Sequence, residues 1–382
     1  MTATASASQT QPQPGAQSAA VRNHRKNNFD FLRLFLAALV VLSHSYAIGV
    51  GSEAGEPLAR LLRHRIFDTH VTFGMLAVDG FFIVSGYLIT ASWERKKSTL
   101  DYFHKRVARI YPGFVVCAAL CVYALPPLVM SGDWHTAPPH KFLFDTARLY
   151  FTSYPLDADG RSIIFLGNAH PRTSNGSLWS IPYEFWCYIG VALLGVFGAI
   201  RRSSALVTVF VIAVLTSFVF SLANIQFGGS WFGKVFGFPP FWARLLPCYL
   251  SGMVLYRLRD TLKLTPMGGL ISTLGLVVLL FVPHGWSIGL PTFGAYLLLW
   301  LATEQRLPHL NVTRFGDWSY GTYLYAFPIQ QLLVFYNGGR MNPLWLCAIA
   351  LPLSLLAGAL SWHAVERWFV KGRTEKPAPK HA

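Results

Sequence analysis

Apolar residues along this chain come in long unbroken runs, and short polar segments carrying most of the charge separate them. A helix needs about 20 apolar residues to cross a bilayer. On that measure the runs predict about ten spans, near residues 30–50, 72–93, 111–130, 178–199, 204–223, 241–257, 267–283, 287–303, 318–336 and 343–365. The spans near 267–283 and 287–303 are parted only by Pro283 and His284. The fold class expected is an all-α integral membrane protein, a bundle of about ten transmembrane helices. Residues 1–27, rich in Ala, Ser, Gln, Thr and Pro, cannot bury a core and predict a disordered N-terminal tail. Residues 28–370 form the membrane domain and 371–382 a short C-terminal tail. The first apolar run is longer than a signal-peptide core and continues into the body, so it reads as an uncleaved first span.

The charges fall beside the spans in alternate connections: the N-terminal tail, Glu94 to Arg109, Arg201-Arg202, Arg257 to Lys263, Arg306 to Arg314 and Lys371 to Lys380. Positive residues mark the cytoplasmic side. Both termini are therefore expected in the cytoplasm and the span number is even. With 53% hydrophobic and 13% charged residues the chain is no soluble domain, for which about 25% charged is usual. Its net charge of +15 lies in span-flanking clusters, not on one face, which argues against nucleic-acid binding. Cys117, Cys121, Cys187, Cys248 and Cys347 all lie inside predicted spans without zinc-ligand spacing, so packing accounts for them and no metal site is expected.

Two outer connections exceed a turn, residues 51–71 and 131–177. The second holds Asp133, Trp134, His135, Pro138, Pro139, Asp157, Asp159, Asn168, His170 and Asn175, and its aromatics and prolines predict an ordered cap. No internal repeat of the transporter kind is visible.

The first span carries Arg33 and His44, eleven residues apart, which on a helix places both on nearly one face about 16 Å apart along the axis. Ionisable groups inside a span cost on the order of 2.5–3.5 kcal/mol, so they face a cavity or a partner. Glu184, in a span entering from outside, is expected at a depth similar to His44, where the pair would make a base and its orienter. A structural histidine satisfied by a carbonyl remains the plain alternative. Asp79 is a second intramembrane acid, able to pair with Arg33 or another interior cation, while Gly80, Ser85 and Gly86 suit close helix approach. Arg106 and Arg109, one turn apart, are either topological anchors or a fork for phosphates. Pro328 should free carbonyls in its span, and Gln330 and Gln331 must find partners there. Trp318 and Tyr320 suit interface anchoring as well as ligand contact.

Together Arg33 with His44, the Phe-Phe-x-x-Ser-Gly-Tyr-Leu-Ile run at 81–89, Arg106-x-x-Arg109-Ile-x-Pro112, Ser-Leu-Trp-Ser-x-x-x-Glu at 177–184 and Ser319-Tyr320-x-x-Tyr323-Leu resemble the membrane acyltransferase 3 family over residues 27–370. The resemblance implies a ten-helix inner-membrane enzyme of bacteria that moves an acyl group, most often acetyl from acetyl-CoA, onto a hydroxyl of an extracytoplasmic glycan or lipid-linked sugar. It implies catalytic roles for Arg33, His44 and Glu184, donor binding by Arg106 and Arg109, and Ser85, Tyr320 and Tyr323 as further motif positions. One departure is Ala326, where many members carry histidine. Either direct transfer or an acyl-histidine relay requires neutral His44, so activity should fall below about pH 6 to 6.5 if its pKa is unperturbed. The alternatives are a proton-coupled transporter or flippase for a glycan or anion, set apart by independence from acyl-CoA, and a non-catalytic scaffold, which leaves the intramembrane charges unexplained.

Overall fold

The computed structural model describes residues 27–65, 71–130, 139–157, 159–225 and 235–371. The expected tails over 1–26 and 372–382, and Asp133, Trp134, His135 and Pro138 of the outer connection, lie outside the described residues.

A helix lies over each predicted apolar stretch. They are α1 (Phe29–Val50), α2 (Phe73–Glu94), α3 (Thr99–Ala119, continued by a π-turn to Ala124), α4 (Ile181–Val196), α5 (Ser203–Leu222), α6 (Pro239–Arg257), α7 (Pro266–Leu280), α8 (Trp286–Thr303), α9 (Ser319–Tyr336) and α10 (Pro343–Ser361, running on through a π-turn to a final short helix). Among the described residues no strand occurs beyond the single bridge between Leu156 and Ser162. Among the described residues six helices, α1, α2, α3, α5, α8 and α10, are long and apolar enough to cross a membrane by length and composition. The other four are shorter or less apolar. The largest boundary difference is in α3, which starts at Thr99, well before the predicted 111. Its first turns are amphipathic and charged, so hydropathy alone misses them although Ser98 caps the helix by accepting from the Asp101 amide at 3.0 Å. Thr72, Thr265 and Asn342 cap α2, α7 and α10 in the same way.

Small residues set the helix spacing. A Cβ on Gly86 of α2 would collide with the Tyr249 carbonyl of α6, and one on Gly252 of α6 with the Ile83 carbonyl of α2. The two backbones therefore touch, as small-residue interfaces allow. Helix α1 packs between α2, α9 and α10.

Polar pairs then lock α9 to its neighbours. Pro328 lacks the N–H that would bond the Leu324 carbonyl. That oxygen instead accepts from Asn175 Nδ2 at 2.8 Å and from Cys117 Sγ at 3.3 Å. Gln330 Nε2 donates to Val41 O and Ser45 Oγ on α1, both at 2.8 Å. Gln331 Nε2 donates to the carbonyls of His170 and Thr173 at 2.8 and 2.7 Å, while Asn168 Nδ2 donates back to Gln331 Oε1 at 2.8 Å. The described part of the long outer connection is thus fastened to α9.

Candidate active site

Arg33 and His44 both face the α9 segment, as their spacing requires. At the basic end of the bundle, Arg33 Nη1 donates to Asp317 Oδ2 at 3.0 Å, just before α9 begins. The same oxygen accepts from Arg109 Nη2 on α3 at 2.7 Å, and Arg109 Nη1 reaches Glu366 Oε2 at 3.4 Å. Asp317 Oδ1 accepts from Ser319 Oγ at 2.7 Å. Burial works against the Asp317 carboxylate, but the Arg109 and Arg33 guanidiniums outweigh it and hold the carboxyl well below the usual range. Tyr320 lies under Arg109, 5.3 Å from the guanidinium carbon to the ring, and donates its hydroxyl to Ile110 O at 2.8 Å. Arg109 is therefore held by two acids and a ring. Arg106, one turn earlier, lies between the rings of Tyr102 and Tyr188 at 5.8 and 5.7 Å, with one weak contact of 3.4 Å to Ser92 Oγ. Its Nε is buried without a hydrogen-bond partner among the described residues.

These arginines line a cavity of about 1310 Å³ that begins among Lys97, Lys105 and Arg106 and runs inward past Ser85, Glu184 and Tyr188 to Ser180 and Tyr323. Small-ligand pockets span about 300–1,000 Å³, so this one has room for a ligand the size of a nucleotide conjugate. Tyr323 closes its inner part, donating to Ser177 O at 2.6 Å and sharing a 2.8 Å hydrogen bond with Ser180 Oγ. One turn further along α9 stands Phe327. His44 packs edge-on against it, with centroids 5.1 Å apart, and so does His170 from the outer connection, at 5.8 Å.

Two expected pairings are not formed. Glu184 does not hydrogen-bond His44: its Oε1 accepts from Ser85 Oγ at 2.8 Å and from Tyr188 OH at 2.6 Å. Ser85 belongs to the basic half of α2 and His44 to the opposite half of α1, so the acid sits deeper than its place near the start of α4 implies. Leu178–Ser180 form a 3₁₀ turn that leads into α4, and Glu184 lies in the first turn of that helix. His44 Nδ1 is buried with no hydrogen-bond partner among the described residues. Likewise Asp79 pairs with Arg244 of α6, at 2.9 Å to Nε, and not with Arg33. Arg244 also donates to Met75 O at 2.8 Å.

The residues that sequence reasoning missed are Asp317, Glu366, Arg244, Tyr188 and the position of His170. Only Tyr188 carried a local signal, one helical turn after Glu184. Ala326, in place of the family's frequent histidine, is fully buried beside Val41 and Ala350.

The family profile described as Acyltransferase domain matches residues 26–363. The chain belongs to the acyltransferase 3 family. It is 28% identical over 365 residues to a protein of Shigella phage Sf6 named O-acetyl transferase, covering 92% of this chain and 98% of that one. It is 29% identical over 374 residues to Nodulation protein 10 of Rhizobium leguminosarum bv. viciae, covering 91% and 94%. No solved structure matches. This acyltransferase is thus a membrane enzyme, and its relatives support O-acetylation as its chemistry.

Proposed function

We propose that this acyltransferase moves an acyl group, most simply acetyl, from cytoplasmic acyl-CoA to a hydroxyl of an extracytoplasmic glycan or lipid-linked sugar. In this reading all ten helices span the inner membrane of a bacterium and both termini are cytoplasmic, which puts every basic cluster on one side. The observation that carries the reading is the cavity, which starts among Lys97, Lys105 and Arg106 and reaches Tyr323, one turn of α9 short of Phe327 and His44. Arg106, the less committed arginine, faces the donor phosphates, with Arg109 beside it. The pantetheine arm runs along the wall formed by Ser85, Glu184 and Tyr188, past Arg33. The thioester then lies at the inner end.

The acceptor comes from the opposite side, between His44 and the outer connection. As its hydroxyl oxygen attacks the thioester carbonyl, His44 takes the proton, the C–S bond breaks, and the proton passes to the departing sulfur. If His44 instead carries the acyl group transiently, the same neutral nitrogen attacks first. Glu184 serves the donor wall in this account and does not orient the histidine.

The test is transfer of label from acyl-labelled CoA to envelope glycans by wild type and His44→Ala at equal expression. Label that depends on His44 supports the proposal; label-free glycans in both, with both proteins in the membrane, overturn it.

A further inference from the structure

The acid between the two arginines does more than complete an ion pair. Asp317 Oδ2 accepts from Arg33 of α1 and Arg109 of α3 together, at 3.0 and 2.7 Å, while Ser319 fixes the other oxygen at 2.7 Å. Glu366, fully buried beyond α10, takes Arg109 from the far side and is itself held by Ser361 Oγ at 2.8 Å. The two guanidiniums therefore face the carboxylates of Asp317 and Glu366, with Asp30 also 3.9 Å from Arg33, and the group as a whole offers no net positive charge to a phosphate. Arg106, outside it, forms no ion pair among the described residues.

We infer that Asp317 is a positioning residue for the acyl-transfer step, acting through Arg33, whose guanidinium it aims along the cavity wall, and not through donor binding. The inference rests on the acyl-CoA reading above. Arg106 binds the donor phosphates, while the Arg33–Asp317–Arg109 group holds Arg33 against the pantetheine arm and so sets how far the thioester reaches toward the inner end. Ionised Asp317 can hold two forks only because they arrive from two different helices. A neutral amide at the same place keeps one acceptor oxygen but no longer anchors both charges.

The sign of the effect on donor binding distinguishes this from ordinary loss of a binding group. Asp317→Asn removes a negative charge from behind the cavity-lining Arg33 and Arg109, so attraction for a polyanionic donor does not weaken. The experiment compares wild type, Asp317→Asn and Asp317→Glu as full-length proteins in membranes, normalised to folded protein, with acyl-labelled CoA and the acceptor fraction that wild type labels. The expected result for Asp317→Asn is a kcat lower by on the order of tenfold to a hundredfold, since misplacing a reacting group by about 1 Å costs that much. The KM for acyl-CoA is expected unchanged or lower. Asp317→Glu, which keeps the charge on a longer stem, recovers part of kcat.

Unchanged kcat in folded Asp317→Asn overturns the inference, as does a raised KM with kcat intact. If Asp317→Asn fails to fold, Asp317→Glu decides: a kcat below wild type at unchanged donor KM supports positioning, and wild-type kinetics overturn it by leaving Asp317 a purely structural role. Absence of transfer by wild type itself would instead count against the acyl-CoA reading.

Discussion

Replacing Asn175 with leucine tests whether the kink at Pro328 is what makes this loop residue necessary. Asn175 is buried; its Nδ2 donates to Leu324 O at 2.8 Å and its Oδ1 accepts from Ser177 N at 3.1 Å. Leucine removes both bonds and orphans the Ser177 amide. It also leaves the Leu324 carbonyl with only the weak Cys117 thiol, at 3.3 Å. Two hydrogen bonds at about 1 kcal/mol each, with about 1–3 kcal/mol for a buried group left unmade, bring the cost to roughly 3–5 kcal/mol. Pro328→Ala supplies the missing helical N–H to Leu324 O, so in that background Asn175→Leu should cost about 1 kcal/mol less. Equilibrium unfolding of the four proteins in mixed micelles measures the cycle. Additivity within about 0.3–0.5 kcal/mol would refute the claim that Asn175 exists to satisfy the carbonyl that proline frees.

Gly86→Ala drives a methyl into the Tyr249 carbonyl and should lower stability by about 1–3 kcal/mol, read as a lower melting temperature in detergent. Gly190→Ala on α4 meets nothing within 4 Å and should raise it by about 0.4–1 kcal/mol. Arg106→Ala should raise the KM for acyl-CoA by roughly tenfold or more, the worth of a charge-assisted contact, with kcat little changed in steady-state kinetics. Against its burial, Arg109 and Arg33 lower the Asp317 pKa below the ordinary 3.8, so the stability it contributes is fully present above that value and lost as pH falls below it. The difference in melting temperature between wild type and Asp317→Asn should therefore be flat from pH 5 to 8 and shrink only in stronger acid.

Periodicity made the helices legible because a membrane span depends on its own composition. It also placed Arg33 and His44 on one face, and both do meet the α9 segment. The Pro328 kink could be read as freeing a carbonyl, yet nothing in the sequence names Asn175 as the donor. Partner choice depends on which helices become neighbours, and that follows from three-dimensional packing across long stretches of chain. Asp79 finds Arg244, 165 residues away, through the same α2–α6 contact that Gly86 permits. Glu184 meets Ser85 and Tyr188 and not His44, because α2 and its own next turn are its neighbours. Nothing local marks Asp317 either: two guanidiniums converge on it only once α1 and α3 pack beside the start of α9.

The central claim is that an acyl group passes from the cavity side to a hydroxyl at His44. Its most direct measurement is transfer from acyl-labelled CoA to envelope glycan in sealed membrane vesicles, with donor supplied only on the cytoplasmic face. The account predicts label in glycan on the opposite face with wild type and none with His44→Ala; equal labelling by both proteins would contradict it.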